Sequence, residues 1–168
     1  MLALMCQVGG QRCAVDCAMV VEVIPRVKLE SLPGTLFQIA GIARHRGESI
    51  PVVDLGHLLA NQSCTDQWSN RIIVVERMNK GSVSRFGLMV EHIEPVHFPE
   101  GPTLAREAQG LGTWGQICQD ALGVFQVLDL DIIHERAFVV DHPHSKTFPT
   151  HPSPSVLKPM GHRGADDR

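Results

Sequence analysis

Nine histidines, five cysteines and the carboxylates Asp54 and Asp129, each followed by leucine, are the residues that could carry chemistry. A metal needs His, Cys or carboxylate ligands at workable spacing. Cys6, Cys13, Cys17, Cys64 and Cys118 include no C-x-x-C pair, and no Cys/His/Asp cluster surrounds His45 or His57. His142, His144, His151 and His162 fall in a proline-rich stretch with nothing to fix their geometry. No metal and no cofactor are therefore expected, and the thiols read as reduced and mostly buried. General acid–base work needs two carboxyl groups close together. Asp54 and Asp129 each stand before a short helical start, where an N-cap is the expected role. Ser49 and Ser63 lack a nucleophile elbow, and the chain has no P-loop and no G-x-G-x-x-G after a strand. An enzyme is not expected.

Composition narrows the partners. The chain has 168 residues, 43% hydrophobic and 20% charged, with a net charge of -3. That is enough for one packed domain, and the wrong sign for a nucleic-acid backbone. Tyrosine is absent and aromatics make up 5%, which leaves little for base stacking. No apolar run reaches the ~20 residues of a membrane-spanning helix. The start, MLALMCQ, lacks the basic region of a signal peptide. A cytoplasmic protein is expected.

The elements that would position a site are mainly β. Leu2 to Val8 and Arg12 to Val15 read as a hairpin turned by Gly9-Gly10. Asp16 caps a predicted short helix over Cys17 to Ile24, ended by Pro25. After a loop with Pro33-Gly34, Ile39 to Arg46 and Ser49 to Val53 form a second hairpin about Gly47-Glu48, and Pro51 suggests an edge or bulge. Ala60 to Asn70 reads as a linker. The run Ile72-Ile73-Val74-Val75 predicts a fully buried strand, and Arg85 to Val90 returns. A loop from Phe98 to Gly112 leads to Thr113–Gln119 and Val124–Leu128, then a helix from Asp129 to about Phe138. From Asp141 the composition predicts a Pro/His-rich disordered tail, 141–168.

The chain repeats itself. With Asp54 set against Asp129, Val52-Val53-Asp54-Leu55 faces Val127-Leu128-Asp129-Leu130, and RCAVDCAMVVEVIP resembles RFGLMVEHIEPV. Two small antiparallel lobes are expected, at roughly 1–60 and 70–138 within a domain of 1–140, each curling toward a barrel. The seam between them is a natural groove for a partner. Arg46 breaks the repeat, because Ala121 aligns with it.

An ordered set of motifs then emerges: Val20-Val21-Glu22-Val23-Ile24-Pro25, Pro33-Gly34, and Ile39, Gly41, Ile42, Arg46, Gly47, Ile50, Pro51, Val52, Val53, Asp54 and Leu55. Over Met1 to Phe138 the chain resembles the CheW family, the adaptor domains of bacterial chemosensory arrays. The resemblance implies two five-stranded SH3-like barrels around a shared core, and a non-catalytic coupler. One face would bind the cytoplasmic tip of a methyl-accepting chemotaxis receptor, another the regulatory domain of a CheA-type histidine kinase, at arrays beneath the inner membrane. It implies receptor contact at Glu22 and Arg46, with Gly47 shaping the turn. Arg44 and His45 depart from the family pattern just before R-G, which would alter the charge of the groove. Kinase-contact residues cannot be assigned. The alternative is a small-barrel module for nucleic acid or a small molecule; a basic stripe with interleaved aromatics would favour it, and none is visible.

Overall fold

The computed structural model describes residues 1–64, 68–79, 81–105 and 114–138. The tail from 141, with its histidines, and the middle of the 60–70 linker lie outside the described residues. The strands are β1 (Leu2–Val8), β2 (Gln11–Asp16), β3 (Val20–Pro25), β4 (Ile39–His45), β5 (Glu48–Asp54), β6 (Arg71–Asn79), β7 (Ser82–Val90), β8 (His92–His97), β9 (Thr103–Leu104), β10 (Gly115–Asp120) and β11 (Gly123–Leu128). Two helices follow the hairpins that end in aspartate, α1 (Leu55–Ala60) and α2 (Leu130–Phe138).

The fold is mainly β, in two sheets. The first runs β8-β1-β2-β11-β10-β9 and the second β3-β6-β7-β5-β4. Among the described residues neither closes on itself through backbone hydrogen bonds, and the two-residue β9 makes the first sheet six-stranded rather than five. Their strand orders match place for place: β8 with β3, β1 with β6, β2 with β7, β11 with β5, β10 with β4. The parallel pairs fix the correspondence, since Ala14 pairs with Val127 and Gly87 with Val52. The sequence repeat is therefore structural, and it sets Arg12 opposite Arg85.

The lobes, however, are not the halves 1–60 and 70–138. The first sheet joins β1 and β2 to β8, β10 and β11, and the second joins β6 and β7 to β3, β4 and β5. Each half of the chain lends its first hairpin to the other half's strands. Period-two alternation identifies which face of a strand is buried, not which strand lies beside it.

The predicted helix over Cys17 to Ile24 is corrected too. A single 3-10 turn, Cys17–Met19, is capped by the Asp16 carboxylate accepting from Ala18 N at 3.0 Å, and the chain then extends as β3. Val20, Val21, Val23 and Ile24 are β-branched and suit a strand, and β6 supplies the backbone partners that local pattern cannot reveal. The segment around Pro95 is likewise a strand, β8. It lies at the end of its sheet, where a missing N–H is tolerated. Pro51 is in an interior strand, but pairing of β5 with β7 begins only at Val52, so its nitrogen faces no neighbour there.

Among the described residues, three apolar clusters hold the assembly. Between the sheets lie Val8, Val15, Val53, Leu55, Ile73, Val75, Phe86, Leu88, Val90 and Ile133, contributed by both sheets and α2. The second lobe encloses Ile24, Ala43, Ile50, Val52, Ile72, Val74 and Met89, and the first encloses Ala3, Met5, Ala14, Cys118 and Phe125. The run 72–75 alternates between the shared core and the second lobe's interior, which is why all four positions are apolar.

Charged pairs close the lobe mouths. In the first lobe Arg12 grips Asp120 through both guanidinium nitrogens, at 2.9 and 2.6 Å, above the Phe125 ring. The hydrogen bonds from Arg12 hold the Asp120 carboxyl below its ordinary range. A carboxylate depressed in the folded state stabilises above its unfolded value, about pH 4, and that contribution is lost as pH falls through the folded value. Asp120→Asn is thus expected to cost about 1 kcal/mol at neutral pH and to flatten the acid limb of stability below about pH 4. Urea midpoints across pH would show it; parallel acid limbs in wild type and variant would rule the pair out as a contributor.

Candidate functional site

The turn between β4 and β5 is two residues long, because His45 pairs with Glu48. Arg46 and Gly47 have φ of 50° and 83°. Positive φ at both positions is the signature of a type I′ turn, whose twist matches that of the flanking strands. Glycine takes this conformation freely, whereas arginine does so at a cost of about 1 kcal/mol. Asparagine or aspartate is the usual occupant of the first position. The turn lifts Arg46 outward, and its side chain is 74% exposed.

β3 delivers Glu22 to the same place. The register of β3 on β6 slips between Val20 and Glu22, a bulge that re-aims the strand. Glu22 lies two residues from buried Ile24, and His45 two from buried Ala43, so both extend the inner face of the second lobe to its rim. Glu22 Oε2 is 2.8 Å from Arg46 Nη2 and 3.1 Å from His45 Nε2. β3 and β4 are the opposite ends of the second sheet. The sheet therefore rolls until its free edges meet through these three side chains rather than through backbone pairing. Neither Glu22 Oε2 nor His45 Nε2 makes an aligned hydrogen bond, although both atoms are buried. The guanidinium–carboxylate pair holds the cluster, and hydrogen-bonding capacity is left over.

Of the five predicted site residues, Glu22, His45 and Arg46 converge and Gly47 makes the turn. Arg44 does not join them. It points to the outer side, 3.4 Å from Glu30, with both side chains well exposed. Glu30 belongs to the strap between β3 and β4, which bridges to Ile42 through a reciprocal pair of backbone bonds of 2.8 and 2.9 Å. Gly41 permits that approach, since a Cβ there would lie 2.8 Å from the Glu30 carbonyl oxygen.

Sequence reasoning missed the neighbours of this rim. Arg85 on β7 binds Glu48 and Glu76, each at 2.7 Å. The signal was the repeat itself, since Arg85 stands where Arg12 stands in the other lobe. The corresponding turn of the first lobe, Ala121–Leu122, carries an 83% exposed leucine instead of a cation.

Residues 2–136 match the family model of the CheW-like domain. The chain belongs to the CheW-like domain family. This is a family of scaffolding adaptors of chemotaxis signalling. The fold is also that of the scaffolding protein TtCheW from Thermoanaerobacter tengcongensis, with a TM-score of 0.65 at 22% identity, covering 77% of this chain and 84% of that one. No curated protein matches the chain.

The remaining candidates in this CheW-like domain have structural duties. Asp54 caps α1, accepting from Gly56 N and His57 N, and its carboxylate also accepts from Cys64 N and the Ser63 hydroxyl. Asp129 caps α2, accepting from Asp131 N and Ile132 N. The two carboxylates are thus engaged at the ends of different sheets. Among the described residues no three His, Cys, Asp or Glu side chains gather as a metal site.

Proposed function

We propose that this CheW-like domain couples methyl-accepting receptors to a CheA-type histidine kinase, and that the receptor's cytoplasmic tip binds at the rim formed by Glu22, His45, Arg46 and Gly47, with Arg44 beside it. The observation that carries the reading is the meeting of Glu22 and Arg46 from opposite edges of one sheet, on a turn that the first lobe builds without a cation. Arg46 engages Glu22 through Nη2, and a guanidinium has five N–H donors, so capacity remains for a receptor carboxylate. Val21 and Val23, 44% and 38% exposed on the face of β3 opposite Glu22, leave that outer face apolar. No helix among the described residues is long and apolar enough to cross a membrane. On this reading the protein is cytoplasmic and reaches the array by binding the receptor.

The test is co-sedimentation of the full chain with a receptor cytoplasmic fragment and the regulatory domain of the kinase. The expected result is that the kinase domain pellets with the receptor only when this chain is present. A chain that retains neither partner would sink the proposal.

A further inference from the structure

The β1–β2 hairpin sets two thiols face to face. Cys6 and Cys13 are directly opposite in its register, and their Sγ atoms are 3.3 Å apart. Both are free thiols. Opposed residues of antiparallel strands have Cα atoms about 4.5–5.5 Å apart, inside the range a disulfide spans. The sulfurs need to close by only about 1.3 Å to reach bonding distance. Each residue also lines a cavity. Cys13 lines one of about 360 Å³ with Gly10, Gln11 and Leu59, and Cys6 one of about 340 Å³ with Gln7, His92 and Leu122. Both cavities flank the hairpin, and the pair itself is only 2% and 3% exposed, so any oxidant that reaches it is a small one.

We propose that Cys6 and Cys13 form an oxidation site, which a hydroperoxide converts into an intrachain disulfide across β1 and β2. One sulfur, as thiolate, attacks a peroxide oxygen. The O–O bond breaks, hydroxide leaves and takes up the thiol's proton as water, and a sulfenic acid remains. The second sulfur then attacks the sulfenic sulfur, the S–O bond breaks, and a second water departs with the second proton. Two thiols are oxidised and one peroxide is reduced by two electrons. The contact with Cys13 first, and burial next, push the Cys6 thiol well above its ordinary range. Oxidation should therefore accelerate as pH rises. The other thiols are worse placed. Cys64 donates to the Met89 carbonyl, and burial and the Asp54 charge push its thiol up to about 12. Cys17 sits on the 3-10 turn and Cys118 inside the first lobe.

The full chain is treated with hydrogen peroxide, unfolded, alkylated and mapped by mass. The expected result is three alkylated thiols out of five, a peptide linking Cys6 to Cys13, and all five recovered after dithiothreitol. In Cys13→Ser the cross-linked peptide should be absent, with Cys6 recovered as the thiol or as a sulfenic acid that dimedone traps. Five alkylated thiols in the peroxide-treated wild type, a linkage to any other cysteine, or a sulfinic acid at either position without the cross-link would overturn the proposal. The wild-type map decides the matter even if the variant folds poorly.

Discussion

Arg46→Glu is expected to leave the domain folded and to weaken its co-sedimentation with a receptor fragment at least tenfold. The side chain is 74% exposed, so its ion pair with Glu22 contributes little to stability, on the order of 0–1 kcal/mol. Reversing the charge acts differently on a partner. A receptor carboxylate that met a guanidinium would meet another carboxylate, and a tenfold loss needs only about 1.4 kcal/mol. Glu22→Arg added to the same chain separates the pair's effect on the fold from its effect on the partner. The exchanged pair should restore the melting temperature, and, because both side chains are placed on the receptor rim, binding should stay lost. Restored binding would mean that the pair acts only by tying the sheet edges together. A folded Arg46→Glu protein that binds as well as wild type removes Arg46 from the contact.

The largest loss of stability is expected at Asp54→Ala, about 3–5 kcal/mol by urea denaturation. Asp54 is 2% exposed. Its carboxylate accepts from Gly56 N at 2.9 Å, His57 N at 3.3 Å, Cys64 N at 3.1 Å and Ser63 Oγ at 2.6 Å. Alanine removes an N-cap, worth about 1 kcal/mol, and strands buried donors at about 1–3 kcal/mol each. The lost carboxylate also frees the segment that folds back from α1 to Cys64, whose side chain reaches across to the Met89 carbonyl. Asp54→Asn retains an acceptor at Oδ1 and should recover roughly half the loss. A cost below about 1 kcal/mol for Asp54→Ala would mean that water replaces the carboxylate, and that the fold does not depend on this cap.

Much of the fold was legible because it is local. The apolar run Leu2–Val8 with its return Arg12–Val15, the glycines between them, and the aspartates before Leu55 and Leu130 depend on residues close in sequence, and each is found where the pattern put it. The repeat was legible for the same reason: matched turns and caps recur in the same order, the offset drifting from 73 residues at Arg12 and Arg85 to 75 at Asp54 and Asp129. Less clear were segments whose partners are remote. VVEVIP reads as the end of a short helix by itself and is instead a strand, because β6 lies beside it. IEPV, which carries a proline, is an edge strand on β1.

The candidate site divides in the same way. The sequence by itself determined that a tight turn at Gly47 would follow β4, but it put that turn at Gly47-Glu48 with Arg46 in the strand; the pairing of His45 with Glu48 moves it one residue back, to Arg46-Gly47, with the positive φ of a type I′ turn at both. It also determined that this turn would be unlike its counterpart at Ala121–Leu122. The tertiary structure decided that Glu22 lies beneath that arginine and that Arg44 turns away to Glu30. It decided the exchange of hairpins between the two halves as well. The physical reason is common to both. Strand pairing and side-chain convergence are contacts between residues distant in the chain, and a one-dimensional pattern records which face is buried but not what is buried against it.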